Sequence, residues 1–325
     1  LDLRLGLLKR DAKIYDHCAR AILAAAPDLV ALSVQCTTFP SAAGIAERVR
    51  RLKPGIPVVF GGHSVSAVDR RTMETFPFVD AVIRGEGEET FVQFADVISS
   101  GAPTEDVPGI TWRRDTKVVR NRDRKLIADL NTLPPLDYEL AQPLETYRQA
   151  CDLRRSVAVL EAGRGCPHAC VYCSQSHFWR RRSRTYSVAR ILREMEVLVE
   201  RHRAESFLLV YDQFTAERDF AEEFCRGVIS SGLNHFPWFC ISRLDTVDPP
   251  LLALMHEAGC TSMCYGIDSG SERTLTFIRK QIDHRILFQR VSETTEAGMR
   301  PTLSFINGLP EDERHDVDAS LKLGR

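Results

Sequence analysis

Residues 157–173, with the sequence VAVLEAGRGCPHACVYC, place an apolar run, a glycine-rich turn and three cysteines in immediate succession. The first part, residues 157–160, is a short apolar run of the kind that forms a buried strand. Cys166, Cys170 and Cys173 follow the turn and lie within eight residues. Thiolates are the ligands that iron–sulfur clusters and zinc prefer. The stretch therefore predicts a metal site in a loop that follows a strand.

Strand and helix patterns alternate from residue 156 onward. Apolar runs predict strands at residues 157–160, 207–210, 238–241, 262–267 and 302–306. Amphipathic spacing predicts helices between them, most clearly over residues 188–199. Five such units in succession predict a partial (β/α) barrel, or a second wound sheet, over residues 156–325. Its active groups would lie at the carboxyl ends of the strands.

Residues 1–100 show the same alternation. Apolar runs predict strands at residues 30–34, 57–60 and 80–83, and the pattern of residues 1–8 also predicts a strand. Helical spacing follows each of the three internal runs. The alternation predicts a doubly wound parallel sheet of the Rossmann-like kind. Ligands of such sheets bind outside the carboxyl ends of the strands.

Residues 101–155 break this pattern, because five prolines punctuate them. Residues 110–112 and 117–119 have the pattern of a small hairpin. We predict a linker here, between a first domain at residues 1–100 and a second at residues 156–325.

Composition excludes several classes of protein. The 325 residues carry 43 Lys and Arg against 44 Asp and Glu, a formal net charge of −1, which argues against a nucleic-acid partner. No apolar run is long enough to span a membrane, and no signal peptide opens the chain, so we expect a cytoplasmic protein. The first residue is Leu1, and we expect both ends to be cut relative to the natural protein.

The three cysteines leave two metal sites open. A four-iron cubane held by three thiolates has one iron available to another ligand. Alternatively, a zinc knuckle could be completed by His168, His177 or a distant cysteine.

The cysteine spacing after the first barrel strand resembles that of the radical S-adenosylmethionine (SAM) family. The resemblance implies a [4Fe-4S] cluster on Cys166, Cys170 and Cys173, whose open iron chelates SAM. One electron from the cluster would then cleave SAM to a 5′-deoxyadenosyl radical. Tyr172 matches the aromatic residue that precedes the third cysteine in the family.

Later motifs follow in the order that this family has. The resemblance implies that Asp212 contacts the SAM amino group, and that Arg243 lies near the SAM carboxylate or ribose. Asp268 and Ser269 belong to a Gly-Ile-Asp-Ser-Gly stretch in which Asp replaces the usual Glu. Ile306 lies in the segment that packs on adenine, although the usual Gly-Glu ending is not matched there.

The turns after the predicted strands of residues 1–100 resemble a cobalamin-binding domain that precedes the barrel in one radical SAM subfamily. Glycines let the backbone approach the flat macrocycle. The candidate contacts are Ser33, Thr37, Gly61, Gly62, His63, Gly85, Glu86 and Gly87. The signature Asp-x-His-x-x-Gly is absent, so we expect no histidine of this sequence to bind cobalt. The usual first strand and helix are expected upstream of Leu1. Ordinary tight turns, with another nucleotide or no ligand, are the alternative.

Together these features resemble the cobalamin-dependent radical SAM enzymes, most of which are methylases. The resemblance implies that one SAM methylates cobalamin, while a second SAM yields the radical that activates the substrate. Methylation of an unactivated carbon or phosphorus of a small-molecule, lipid or peptide substrate is expected, with flavodoxin or ferredoxin as electron donor. A cyclase or rearrangement enzyme with the same cofactors is one alternative. A non-enzymatic metal- or corrinoid-binding protein is the other.

Overall fold

The computed structural model describes residues 12–324 and divides the chain into two units, Leu1–Ile127 and Ala128–Arg325. The strand predicted at residues 1–8 lies outside the described residues. No helix within the described range has the length and apolar character needed to cross a membrane.

The first unit is a five-stranded sheet with helices. Its helices are α1 (Ala12–Ala24), α2 (Phe39–Leu52), α3 (His63–Ala67), α4 (Asp69–Thr75) and α5 (Glu88–Ser100). Its strands are β1 (Val30–Ser33), β2 (Val58–Gly61), β3 (Ala81–Ile83), β4 (Ile110–Arg114) and β5 (Lys117–Arg120), paired in that order. Strands β1 to β3 are parallel, whereas β4 and β5 form an antiparallel hairpin.

Helices cover both faces of this sheet. Alternate residues of a strand point to opposite faces, and β2 shows what packs on each face. Val58 and Phe60 of β2 pack in a cluster that includes residues of α1 and α2. Val59, between them, packs in a second cluster with Phe94 of α5. Each of these three β2 side chains is at most 1% exposed. A strand buried on both faces must be apolar at every position, which explains the continuous run in the sequence.

Two features of the first unit differ from the sequence analysis. A helix, α1, precedes β1, whereas the sequence analysis places the first helix upstream of Leu1. The hairpin is present, but β4 pairs with β3, with Ile110 opposite Ile83. Both isoleucines lie in the cluster that contains Phe94. The hairpin is therefore part of the first sheet, and burial of Ile110 gives the physical reason.

The second unit contains the remaining elements. Its strands are β6 (Val157–Glu161), β7 (Gly163–Arg164), β8 (Arg184–Thr185), β9 (Ser206–Val210), β10 (Trp238–Ser242), β11 (Cys260–Asp268) and β12 (Arg300–Phe305). Its helices are α6 (Leu144–Ala150), α7 (Ser174–Phe178), α8 (Val188–His202), α9 (Arg218–Ser230), α10 (Pro249–Glu257), α11 (Glu272–Phe277), α12 (Leu287–Glu296) and α13 (Arg314–Leu323).

The main sheet of the second unit has the order β6-β9-β10-β11-β12, and every neighbouring pair is parallel. Successive parallel strands that pair in chain order, with helices between them, are the arrangement of a partial (β/α) barrel. Helix α8 buries Val188, Ile191, Met195 and Leu198, which recur at helical spacing. The carboxyl ends of all five strands meet at one edge, where the cysteine loop begins.

Candidate active site

A short ribbon closes the cysteine loop, and the sequence analysis missed it. Strands β7 and β8 pair antiparallel, so the chain leaves and returns at the same place. Gly165 has φ of +93°, and a Cβ there would lie 1.9 Å from the carbonyl oxygen of Arg182. Trp179 is 7% exposed, with the guanidinium carbons of Arg164 and Arg184 at 5.8 and 5.4 Å from its ring. Aromatic and cationic packing thus holds the loop closed.

The end of β9 is tied to the start of the loop. Asp212 Oδ2 accepts a hydrogen bond from the backbone N–H of Gly165 at 2.7 Å. The next residue, Gln213, is 2% exposed, and its Oε1 lies 3.6 Å from Cys166 Sγ. The carboxyl end of β9 therefore fixes the position of the first cysteine. Gln213 was not singled out from the sequence.

The segment after α11 holds the other side of the loop. The N–H of Val171 donates to the carbonyl of Ile278 at 3.0 Å. Tyr172 donates its hydroxyl hydrogen to Asp268 Oδ2, and Lys280 Nζ lies 2.7 Å from the same oxygen. Lys280 is a second residue that the sequence analysis missed. It brings a buried positive charge to the end of β11.

Arg243, at the end of β10, is buried and held by three hydrogen bonds. Two run to the carboxylate of Asp245 at 2.8 Å each, and one runs to the carbonyl of Gln281 at 2.6 Å. Burial acts to lower the pKa of Arg243, but Asp245 outweighs burial and the pKa is raised. The guanidinium therefore stays charged at the edge of the sheet.

Burial raises the pKa of the thiols of Cys166 and Cys170. The charges of Lys280 and Arg243 act on Cys170 in the opposite direction, toward the thiolate. Iron would displace the thiol protons, because the thiolate is the metal ligand. Three thiols with two buried cations beside them fit an anionic iron–sulfur cluster. Within residues 12–324 no three His, Cys, Asp or Glu side chains are grouped to hold a single ion.

The remaining predicted SAM contacts lie at the ends of β11 and β12. Asp268 has φ of +67°, and its carbonyl oxygen accepts the N–H of Ile306 at 2.8 Å. Ser269 is 2% exposed, and its hydroxyl accepts the N–H of Ser271 at 3.1 Å. It also lies 3.4 Å from the hydroxyl of Ser320 on α13. The structure thus brings Asp268 and Ile306 together and places the Ser269 side chain against α13.

A cavity of about 920 Å³ opens beside the loop. Its lining includes His168 and Ala169 of the loop, together with Arg279, Lys280 and Gln281. Burial, then the charge of Arg243, lowers the pKa of His168. The cavity is large enough for a small molecule.

In the first unit, the predicted cobalamin contacts lie at the carboxyl ends of β1 to β3. Ser33 pairs in register with Gly61, and Gly61 pairs with Ile83. Gly62 has φ of +111°, and a Cβ there would lie 2.7 Å from the carbonyl oxygen of Val34. The backbone of this turn therefore requires glycine.

Ser66 joins two of the glycine turns, although the sequence analysis did not select it. Its hydroxyl donates to the carbonyl of Gly62 at 2.7 Å and accepts the N–H of Gly85 at 3.1 Å. A serine hydroxyl that bonds four residues back within a helix is a common local pattern. Only the fold shows that the same hydroxyl also contacts Gly85.

The remaining predicted cobalamin contacts of the first unit differ in their exposure and in the element that carries them. Glu86 is 6% exposed and accepts the N–H of Ile127 at 2.8 Å, so it secures the end of the unit. Thr37 is exposed in the loop after β1. His63 is the half-buried first residue of α3. Gly87 precedes α5, where a Cβ would meet Ile83 at an ordinary 3.7 Å.

Comparison with known families identifies the class of protein. The family model of the radical SAM superfamily matches residues 160–324, which is just over half of the chain. The chain therefore belongs to the radical SAM superfamily. A second model, of the B12 binding domain, matches residues 5–95. The predicted fold class and the predicted cofactors, an iron–sulfur cluster, SAM and cobalamin, are confirmed at the level of these families.

Individual relatives cover nearly the whole chain. An uncharacterized methyltransferase of Pyrococcus horikoshii is 29% identical over 96% of this chain and 67% of its own length. An anaerobic magnesium-protoporphyrin IX monomethyl ester cyclase of Rubrivivax gelatinosus is 27% identical over 95% of this chain and 56% of its own. The chain thus spans about half to two thirds of the length of these two relatives.

A solved structure shares the fold. The radical S-adenosylmethionine methyltransferase TsrM of Kitasatospora setae, with tryptophan and a SAM analog bound, superposes with a TM-score of 0.79. The match covers 95% of this chain and 63% of TsrM, at 20% identity.

Proposed function

We propose that the protein is a cobalamin-dependent methyltransferase that places a methyl group on an unactivated carbon or phosphorus. Its substrate would be a small molecule, lipid or peptide, and its electron donor a flavodoxin or ferredoxin of a reducing cytoplasm. One observation carries the proposal. The three-cysteine loop is hydrogen-bonded to the ends of β9 and β11 in a chain that also contains a B12 binding domain.

The cluster and SAM supply a 5′-deoxyadenosyl radical when bound, and cobalamin supplies the methyl group. Cys166, Cys170 and Cys173 would hold three irons and leave the fourth open to SAM. Asp212 holds the loop through the N–H of Gly165, which keeps the first cysteine at the carboxyl end of β9. This assignment favours an iron–sulfur cluster over the zinc knuckle.

Two buried cations, Arg243 and Lys280, balance negative charge at the site. Arg243 and Lys280 both act on Cys170, and together they offset the negative charge of the thiolates. Each also has a carboxylate partner, Asp245 and Asp268, so neither is buried without compensation. An anionic SAM carboxylate would be attracted to the same region. We assign SAM binding to this edge of the sheet, near Arg243, Asp268 and Ile306.

In the first unit, the aligned ends of β1 to β3 would hold cobalamin. The turns at Gly62 and Gly85 have positive φ, and the Cβ position of Gly85 faces open space. A backbone without side chains leaves room for a large planar ligand. Ser33 and Gly61 lie side by side at the same edge.

A cyclisation without net methyl transfer is the second candidate. The observation that favours it is the similarity to the Rubrivivax cyclase, which extends over 95% of this chain. Detection of a methylated product would favour the methyltransferase hypothesis over the cyclase hypothesis.

The experiment is anaerobic reconstitution with iron, sulfide and cobalamin, followed by an assay for 5′-deoxyadenosine from SAM. Cys166→Ala, Cys170→Ala and Cys173→Ala should each abolish SAM cleavage. Cys151→Ala, which changes an exposed cysteine of the same unit, should leave it intact. Bound zinc without SAM cleavage would refute the radical mechanism. Cleavage without retained corrinoid would refute the role given to the first unit.

A further inference from the structure

The side-chain amide of Gln213 lies against Cys166 with only one of its two ends satisfied. Its Oε1 is 3.6 Å from Cys166 Sγ, and the thiol hydrogen is the donor in this contact. The amide nitrogen Nε2 is buried and has no acceptor among the described residues. A buried NH2 group without a partner is unusual in folded proteins.

Both neighbours of Gln213 fix its position. Asp212 Oδ2 accepts the N–H of Gly165, the residue directly before Cys166. The N–H of Phe214 donates to the carbonyl of Ile241 at 2.9 Å, and the Phe214 ring is fully buried. The strand end that carries the amide is therefore tied to the backbone that carries the thiol.

We propose that Gln213 donates an N–H···S hydrogen bond to Cys166 when the cluster is bound, and that this bond raises the reduction potential of the cluster. The inference rests on the proposed function, which makes Cys166 a cluster ligand. The thiol releases its proton to solvent when sulfur binds iron, so the donor of the present contact disappears. A half-turn of the amide exchanges its oxygen and nitrogen. The turn places Nε2 as a donor on the thiolate and moves Oε1 to the buried position that Nε2 leaves.

The effect on the potential follows from charge. Reduction adds negative charge to the cluster, and an N–H dipole aimed at a ligand sulfur stabilises that charge. Hydrogen bonds to the sulfurs are among the factors that set the potentials of iron–sulfur clusters. Gln213 would act through Cys166 as a positioning residue, since it touches a ligand and not an iron.

The test compares Gln213→Met and Gln213→Glu with the parent protein after anaerobic reconstitution. Both variants keep the length of the side chain and remove the NH2 donor. Iron and sulfide content should be unchanged in Gln213→Met. Its midpoint potential, measured by redox titration with electron paramagnetic resonance, should fall by about 59 mV, a tenfold change for a one-electron couple. Gln213→Glu should fall further, because a carboxylate repels the reduced cluster.

Two controls separate this role from a purely structural one. Gln289→Met, on an exposed face of α12, should leave the potential unchanged. The cluster-free Gln213→Met protein should unfold at the same temperature as the parent or higher, because the variant removes an unsatisfied group.

An unchanged potential in Gln213→Met with full iron content would overturn the inference and leave the proposed function standing. A marked loss of stability in the cluster-free variant would also overturn it. A parent protein that binds no iron would instead overturn the proposed function itself, and the two failures are therefore distinguishable.

Discussion

Lys280 Nζ lies 2.7 Å from Asp268 Oδ2, and both side chains are more than nine-tenths buried. Asp268 stands at the end of β11, and Lys280 follows α11. The hydroxyl of Tyr172 donates to the same carboxylate oxygen, so the pair also contacts the cysteine loop. Lys280, from the segment after α11, compensates the buried negative charge of Asp268.

Removal of the lysine should leave an unpaired buried carboxylate. We expect Lys280→Met to lower the free energy of unfolding of the cluster-free protein by about 3–5 kcal/mol. The double variant Asp268→Asn/Lys280→Met should recover part of this loss, because the isolated charge is gone. Urea denaturation monitored by circular dichroism measures both effects.

The matched control is Lys322→Met, which changes an exposed lysine of α13. Its effect should stay within about 0.5 kcal/mol. If Lys280→Met also changed the free energy of unfolding by no more than this, the pair of Lys280 and Asp268 would not contribute to stability.

Gly165 allows the cysteine loop to close, and substitution should prevent this. The Cβ of Gly165→Ala would lie 1.9 Å from the carbonyl oxygen of Arg182, so backbone atoms would have to move. We expect the variant to lose most of its capacity to incorporate iron. Iron and sulfide analysis after reconstitution measures the effect.

Gly232→Ala provides the comparison, because Gly232 has φ of +71° with open space around its Cβ position. The only expected effect of this control is a loss of roughly 1 kcal/mol in the free energy of unfolding, because alanine must adopt a left-handed backbone conformation. Equal iron content in the two variants would show that the ribbon of β7 and β8 does not control the loop.

The strands of the two five-stranded sheets and many of the helices could be predicted from the sequence because their signals are local. A strand buried on both faces is a continuous apolar run, as at residues 58–60 of β2. The three cysteines are also local, because a single loop carries them. The order of the later motifs then predicts which strand ends meet at the site.

Residues that act through distant contacts could not be found in this way. Gln213 is 47 positions from Cys166, and only the parallel pairing of β6 with β9 brings them together. Lys280 lies in a segment of no distinctive pattern. Glu86 lies between two glycines, where the sequence predicts a ligand contact. Only the fold shows that its carboxylate also accepts the N–H of Ile127.

Ser66 should stabilise the turns at the carboxyl ends of β2 and β3. Its hydroxyl makes one hydrogen bond to Gly62 and one to Gly85. We expect Ser66→Ala to lower the stability of the first unit by about 1–3 kcal/mol, since the loss leaves two backbone groups without this partner. Retention of cobalamin should weaken in parallel, which absorbance after gel filtration measures.

Ser100→Ala serves as the control, because the Ser100 hydroxyl makes one exposed bond four residues back in α5. It should change neither stability nor cobalamin retention. Full retention of cobalamin in Ser66→Ala would show that the geometry of these turns is not needed for binding.

Asp316 should make the docking of α13 sensitive to acid. The guanidinium of Arg273, then the hydroxyl of Ser271 and the N–H of Glu313, hold the pKa of Asp316 well below its usual range. A carboxyl whose pKa is lowered by folding contributes stability that is fully present above its unfolded pKa of about 3.9 and lost as the pH falls below it. The urea midpoint of the parent protein should therefore drop as the pH falls from about 4 to about 3.

Asp316→Asn should show a lower midpoint at pH 6 and a shallower decline toward pH 3, because the substituted side chain does not titrate. Asp318→Asn, an exposed position of the same helix, should follow the parent curve at every pH. The sign of the slope is the decisive observation. The unfolded chain binds the extra proton at Asp316, so stability must rise with pH in this window. Parallel curves for the parent protein and Asp316→Asn would mean that acid acts on other carboxylates, and that Asp316 does not hold α13 through its charge.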